Sequence, residues 1–172
     1  YDARYERRTY DLNQLDSVWY LVERLPSPGL AHTLLSFGFG DEYLAISVEI
    51  RKERGEIYSP LRGLLRQYEL TYVIADERDV IGLRTNQRRD VVYLYPVRAT
   101  REQMRRLFVD MVTRANQLAA EPEFYNSLTN NCTSNIVRHV NAIAQRVPFS
   151  YKVVLPAYSD ELAYELEIIQ KD

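Results

Sequence analysis

Three side chains in this 172-residue chain can do thiol or imidazole chemistry: Cys132, His32 and His139. Cys132 stands in "NSLTNNCTSNIVRHV", with two asparagines before it and an apolar helical pattern after it. Asparagine is a favoured N-cap, so Asn130 or Asn131 would open a helix carrying Cys132 in its first turn. Unpaired N–H groups and the positive end of the helix dipole favour negative charge there. Thiolate is the reactive form of cysteine, and few environments lower its pKa as a helix N-terminus does. The same end of the helix, at Asn131, would hold the oxyanion of an acyl tetrahedral intermediate.

A packing role fits the same residues. Cys132, Ile136, Val140 and Ile143 form one helical stripe, and free cysteine is among the most buried residue types. A catalytic cysteine would face the same way, toward the sheet that carries its base. The stripe therefore serves both roles.

A base for Cys132 has to be a histidine. His139 is seven residues further along the helix, about 10 Å up its axis, and that is beyond proton-transfer reach. It reads as a satisfied helix histidine. His32 opens the run "HTLLSFGF" after a Pro/Gly turn, and a strand end facing a helix N-terminus is a workable place for a base. A third group should orient the imidazole. On the next run Ser47, Glu49 and Arg51 share one face, so Ser47 or Glu49 would lie beside His32. Glu49 is the stronger candidate, because a carboxylate also stabilises the imidazolium; a solvated sheet face is the plain alternative. Two histidines and a cysteine so far apart give no metal-ligand spacing. P-loop, dinucleotide and G-x-S-x-G motifs are missing, so neither metal nor cofactor is expected.

The elements that must hold these groups are legible as a change of period. "SVWYLVER", "AHTLLSFGF", "YLAISVEIRKE", "YELTYVIADE", "DVIGLRT" and "DVVYLYPV" read as strands, the second and third as a hairpin across Gly40-Asp41-Glu42. "SPLRGLLRQ" offers a short helix with Ser59 as N-cap, Pro60 at its first position, and Leu61, Leu64 and Leu65 on one face. Arg84, Arg88 and Arg89 then fall at a charged hairpin tip, where they could also meet an anionic headgroup or partner. From Thr100 the period becomes 3.6. Thr100 and Gln103 make a capping box, and Met104, Leu107, Phe108, Met111, Val112, Ala115, Leu118 and Ala119 make a stripe that Pro122 ends. Further helices are expected from Asn131 to Arg146 and, capped by Ser159, from Asp160 to Ile169. Strands followed mainly by helices predict an α+β domain with an antiparallel sheet of five to six strands. Residues 1–16 read as an N-terminal arm and 17–172 as a single domain.

Composition excludes more than it selects. A net charge of −2 gives no pull toward nucleic acid. Of the 22 basic residues only Lys52, Lys152 and Lys171 are lysine, a bias that GC-rich coding produces as readily as bidentate anion pairing. The longest uncharged run, Leu25 to Gly40, carries Pro26, Pro28 and three glycines, too short and broken to span a bilayer.

From about Ser17 to Asn141 the chain resembles a known bacterial family. "AHTLLSFGFGDEYLAISVEIRKERGE", "LLRQYELTYVIADERDVIGLRTN", "VYLYPV" and "PEFYNSLTNNCTSNIVRHVN" are similar, in that order, to the N-terminal periplasmic domain of Lnb-type lipoprotein intramolecular transacylases. Strand histidine before helix cysteine is also similar to permuted papain-like enzymes of the NlpC/P60 and lecithin-retinol acyltransferase kinds. The resemblance implies a permuted papain-like fold, a Cys132 nucleophile, a His32 base, and an orienting residue at Ser47 or Glu49. It also implies location in the periplasm or on the outer face of the inner membrane, membrane association of the full-length protein, and a lipid, lipoprotein or cell-envelope substrate.

Three functions follow. One is an extracytoplasmic cysteine-dependent acyltransferase or hydrolase working through a thioester. The second is a cell-wall amidase or peptidase. The third is a non-catalytic envelope domain that binds a lipid or protein and keeps Cys132 as packing. An apolar channel at the thiol would favour the first, and an open polar groove the second.

Overall fold

The computed structural model describes residues 5–52, 55, 59–144 and 146–170. Residues 1–4 of the expected arm, Glu53 of the expected third strand and Lys171 lie outside them. Five strands form one sheet: β1 (Leu15–Arg24), β2 (Ala31–Phe39), β3 (Glu42–Arg51), β4 (Glu69–Asp76) and β5 (Val91–Pro96). Their order is β4-β3-β2-β1-β5, and every neighbour is antiparallel. The β2–β3 hairpin turns at Gly40, whose φ of +64° lies in the left-handed region that glycine enters without steric cost.

Alternation gives each face its own partner. Val18, Tyr20, Leu35, Phe37, Leu44 and Ile46 point to one face. There they pack on Met104, Leu107 and Met111 of α3 (Arg101–Ala120) and Ile136 of α4 (Cys132–Ile143). Leu21, Leu34 and Ala45 point to the other face and meet Val80 of α2 (Glu77–Gly82). Arg105 of α3 ties back residues 12 and 13, donating to the Leu12 carbonyl and the Asn13 side chain.

Several elements differ from the sequence reading. "DVIGLRT" is not a strand: α2 takes its first half, and a π-helical turn over Leu83–Arg88 takes the rest. Asp76 caps α2 by accepting from the Arg78 N–H, and Glu77 and Asp79 load the first turn with acid, which outweighs the β preference of Val80 and Ile81. The arginines are therefore no hairpin tip. α1 (Pro60–Leu64) has only five residues, too few to turn a leucine face inward. Leu61, Leu64 and Leu65 are exposed, and Gly63 is the residue it buries.

The capping box at Thr100 is formed on both sides. α4 ends at Ile143, short of Arg146, where the Asn141 side chain accepts from the Val147 N–H ahead of Pro148. α5 (Tyr151–Val154) and a 3-10 turn (Pro156–Tyr158) precede α6 (Ser159–Glu165). Ser159 does not cap α6. Its hydroxyl accepts from Tyr20 and donates to the Pro156 carbonyl.

Candidate active site

Cys132 opens α4 behind Asn131, the N-cap, whose side-chain oxygen accepts from the Ser134 N–H. The Asn131 amide donates to the Ser127 carbonyl, so its side-chain groups are used by the cap. Any oxyanion at this helix end meets backbone N–H groups of the first turn instead. The thiol is 3 % exposed and packs with Val48, Tyr68 and Leu70 at one end of the sheet.

His32 lies at that same end, directly across from Glu23 of β1. The paired register of β2 with β3 stops at Leu34 and Ser47, so His32 lies just past the last rung. Its Nε2 is 2.7 Å from Ser47 Oγ and 3.1 Å from Glu49 Oε1. Ser47 in turn donates to the same Glu49 oxygen over 2.8 Å. Ser47 and Glu49 therefore hold one imidazole nitrogen together, and the ring also meets the Cys132 thiol.

The electrostatics couple these groups. Burial pushes the Cys132 thiol up, but the hydrogen bond and charge of His32, helped by Thr33, bring it down to about 7. Burial alone would lower His32; the charge of Glu49 and the contact with Cys132 raise it to about 10. Burial opposes ionisation of Glu49 as well, yet His32 and Arg84 hold its carboxyl far below the usual carboxylate range. Both shifts run in the direction that favours a thiolate beside an imidazolium.

Arg84 is the group that the sequence reading placed elsewhere. It is 3 % exposed, donates through Nη2 to Glu49 over 2.9 Å, and through Nε to Glu23 over 2.8 Å. Glu23 also takes Arg88 at 3.2 Å. His139 is buried and apart from the thiol: Asp110 sits at its Nδ1 and Tyr72 at its Nε2, at 2.6 and 2.8 Å. Burial lowers its pKa despite Asp110. Among the described residues, no group of histidine, cysteine and carboxylate side chains has metal-binding geometry.

The shifts carry a sign for stability. Cys132 is depressed from 9.0 to about 7, so its contribution is full above pH 9.0 and is lost as pH falls through 7. Wild type should gain on Cys132→Ser between pH 7 and 9 by roughly 2 kcal/mol, read as paired unfolding curves. A difference that stays flat with pH would mean an unperturbed thiol.

Fold and geometry together define a class: an α+β domain in which a helix-borne thiol faces a strand-borne imidazole. The chain belongs to the family of Lnb N-terminal periplasmic domains, whose model matches residues 1–157. Its place is accordingly the periplasm, and among the described residues no helix is long and apolar enough to cross a membrane. Neither a curated protein nor a solved structure matches the chain.

Proposed function

We propose that this domain is a cysteine-dependent acyltransferase or hydrolase that handles lipid or lipoprotein acyl groups. The observation that carries the reading is the set Cys132, His32, Ser47 and Glu49 at one end of the sheet. Strand histidine before helix cysteine is the order that the permuted papain-like resemblance implies.

In this mechanism the Cys132 thiolate attacks an acyl carbonyl, and the carbonyl electron pair moves onto oxygen. First-turn N–H groups of α4 receive that oxyanion. Its collapse expels the alcohol or amine, which takes the proton held on His32, and leaves a thioester on Cys132. Water or an acceptor amine or hydroxyl then attacks the thioester while His32 accepts its proton. Ser47 and Glu49 keep the imidazole turned toward sulfur.

An apolar cavity supports a lipid acyl group over a cell-wall peptide. It runs along the thiol helix, lined by Thr133, Ile136 and Val140 together with Leu35 and Leu162; Thr133, next to Cys132 in the chain, is its point nearest the thiol in sequence. Incubation with a phospholipid, and separately with a peptidoglycan peptide, tests both parts by intact mass. A hydroxylamine-labile acyl adduct should form on wild type with the phospholipid and be absent from Cys132→Ser. An adduct with the peptide alone would make the domain a cell-wall enzyme. No adduct with any ester or amide would leave Cys132 as packing.

A further inference from the structure

We infer that Arg84 is a positioning residue for the thiol site, acting through Glu49 on His32. The inference rests on the cysteine-dependent reading above and adds a residue that meets the same carboxylate oxygen as the imidazole.

The geometry is specific. One oxygen of Glu49 meets three groups: Ser47 Oγ at 2.8 Å, His32 Nε2 at 3.1 Å and Arg84 Nη2 at 2.9 Å. Two of them, the imidazole and the hydroxyl, belong to the site. The third fixes where that oxygen stands. Arg84 is itself held in three directions, by Glu23 at Nε, by Glu49 at Nη2, and by the Val80 carbonyl at Nη1 over 3.0 Å. A planar guanidinium suits this fork, whereas an ammonium can supply the charge but not the fixed angles. The segment carrying Arg84 is a π-helical turn, a rare backbone form that is frequent at functional sites. The Arg84 carbonyl accepts from the Asp90 N–H over 3.0 Å, which closes that turn.

Charges alternate along the set. Arg88 and Arg84 flank Glu23, Arg84 and His32 flank Glu49, and Cys132 ends the row. Without Arg84, two carboxylates face each other across the gap it filled. Like charges held that close favour protonation of one of them. Glu23 keeps Arg88, whereas Glu49 loses the cation that fixes its position. His32 then loses part of the anion that keeps it charged, and the thiol becomes harder to ionise. Tyr20 and Thr33 also face the thiol, and the substitution leaves both in place.

The test is the thiolate titration of the intact domain, followed by ultraviolet absorbance. In Arg84→Gln the midpoint should move upward by about one unit. In a Glu49→Gln background the same substitution should add no further shift, because its route to the thiol is already cut. Arg84→Lys, which keeps the charge and serves if the glutamine variant does not fold, should move the midpoint upward by a smaller amount. A folded Arg84→Gln or Arg84→Lys protein of reduced stability but wild-type midpoint would overturn the inference and make Arg84 a purely structural pair. A wild-type midpoint at the ordinary cysteine value would overturn the thiol reading itself, and this inference with it.

Discussion

Replacing His32 by alanine should carry the Cys132 titration from about 7 to at least the ordinary thiol value of about 8.5. Burial raises this thiol, and in His32→Ala the opposing hydrogen bond and positive charge are both gone. At pH 6 the thiolate fraction then falls about 30-fold or more. Alkylation by a small haloacetamide should fall less, about fivefold, because a less acidic thiol is intrinsically the better nucleophile. A single cysteine in the chain makes both signals assignable without a labelled residue. The same midpoint in both proteins would remove His32 from the site.

Glu23→Gln should cost about 3 kcal/mol, one of the larger losses a single polar substitution can produce. Glu23 is 1 % exposed and carries both Arg84 and Arg88. The neutral amide keeps the shape but leaves buried guanidinium charge with half its counter-charge. Urea unfolding with an unchanged slope would read the loss directly. Joining Glu23→Leu to Arg84→Met should cost less than the sum of the single changes, because no fully buried charge is left unpaired: Arg88 is half exposed and Glu49 keeps His32. A loss of Glu23→Gln within about 0.5 kcal/mol would class the pair with surface ion pairs.

How much of this site could be read from residue order depends on how local each signal is. His32, Ser47 and Glu49 lie on two strands of a hairpin, and period-two alternation brings the three to one face. The Cys132 helix announces itself through Asn131 and the apolar spacing that follows. Arg84 announces nothing of the kind. Its partners lie 61 residues back at Glu23 and 35 back at Glu49, and no periodicity links them. Val80 and Ile81 suggest a strand, but Asp76 with Glu77 and Asp79 behind it is a helix start, and that signal was available. The extra turn that swings Arg84 inward is π-helical, a form with no compositional mark. Leu61, Leu64 and Leu65 misled in the opposite sense. Their spacing fits a helix face, yet a five-residue helix has no length over which such a face can be buried.

The wide separation of the coupled residues has a consequence for timing. Nothing near Cys132 in the chain lowers its pKa by itself except the helix end, and a lone short helix barely forms in water. His32 lies one hundred positions upstream, and Glu49 and Arg84 lie between. While the chain is unfolded, the thiol is an ordinary one and almost wholly protonated at neutral pH. Its reactivity is switched on by completion of the sheet and the docking of α4 against it. On the proposed cysteine-dependent reading, the unfolded chain is thus chemically quiet toward esters and disulfides, and folding itself arms the nucleophile.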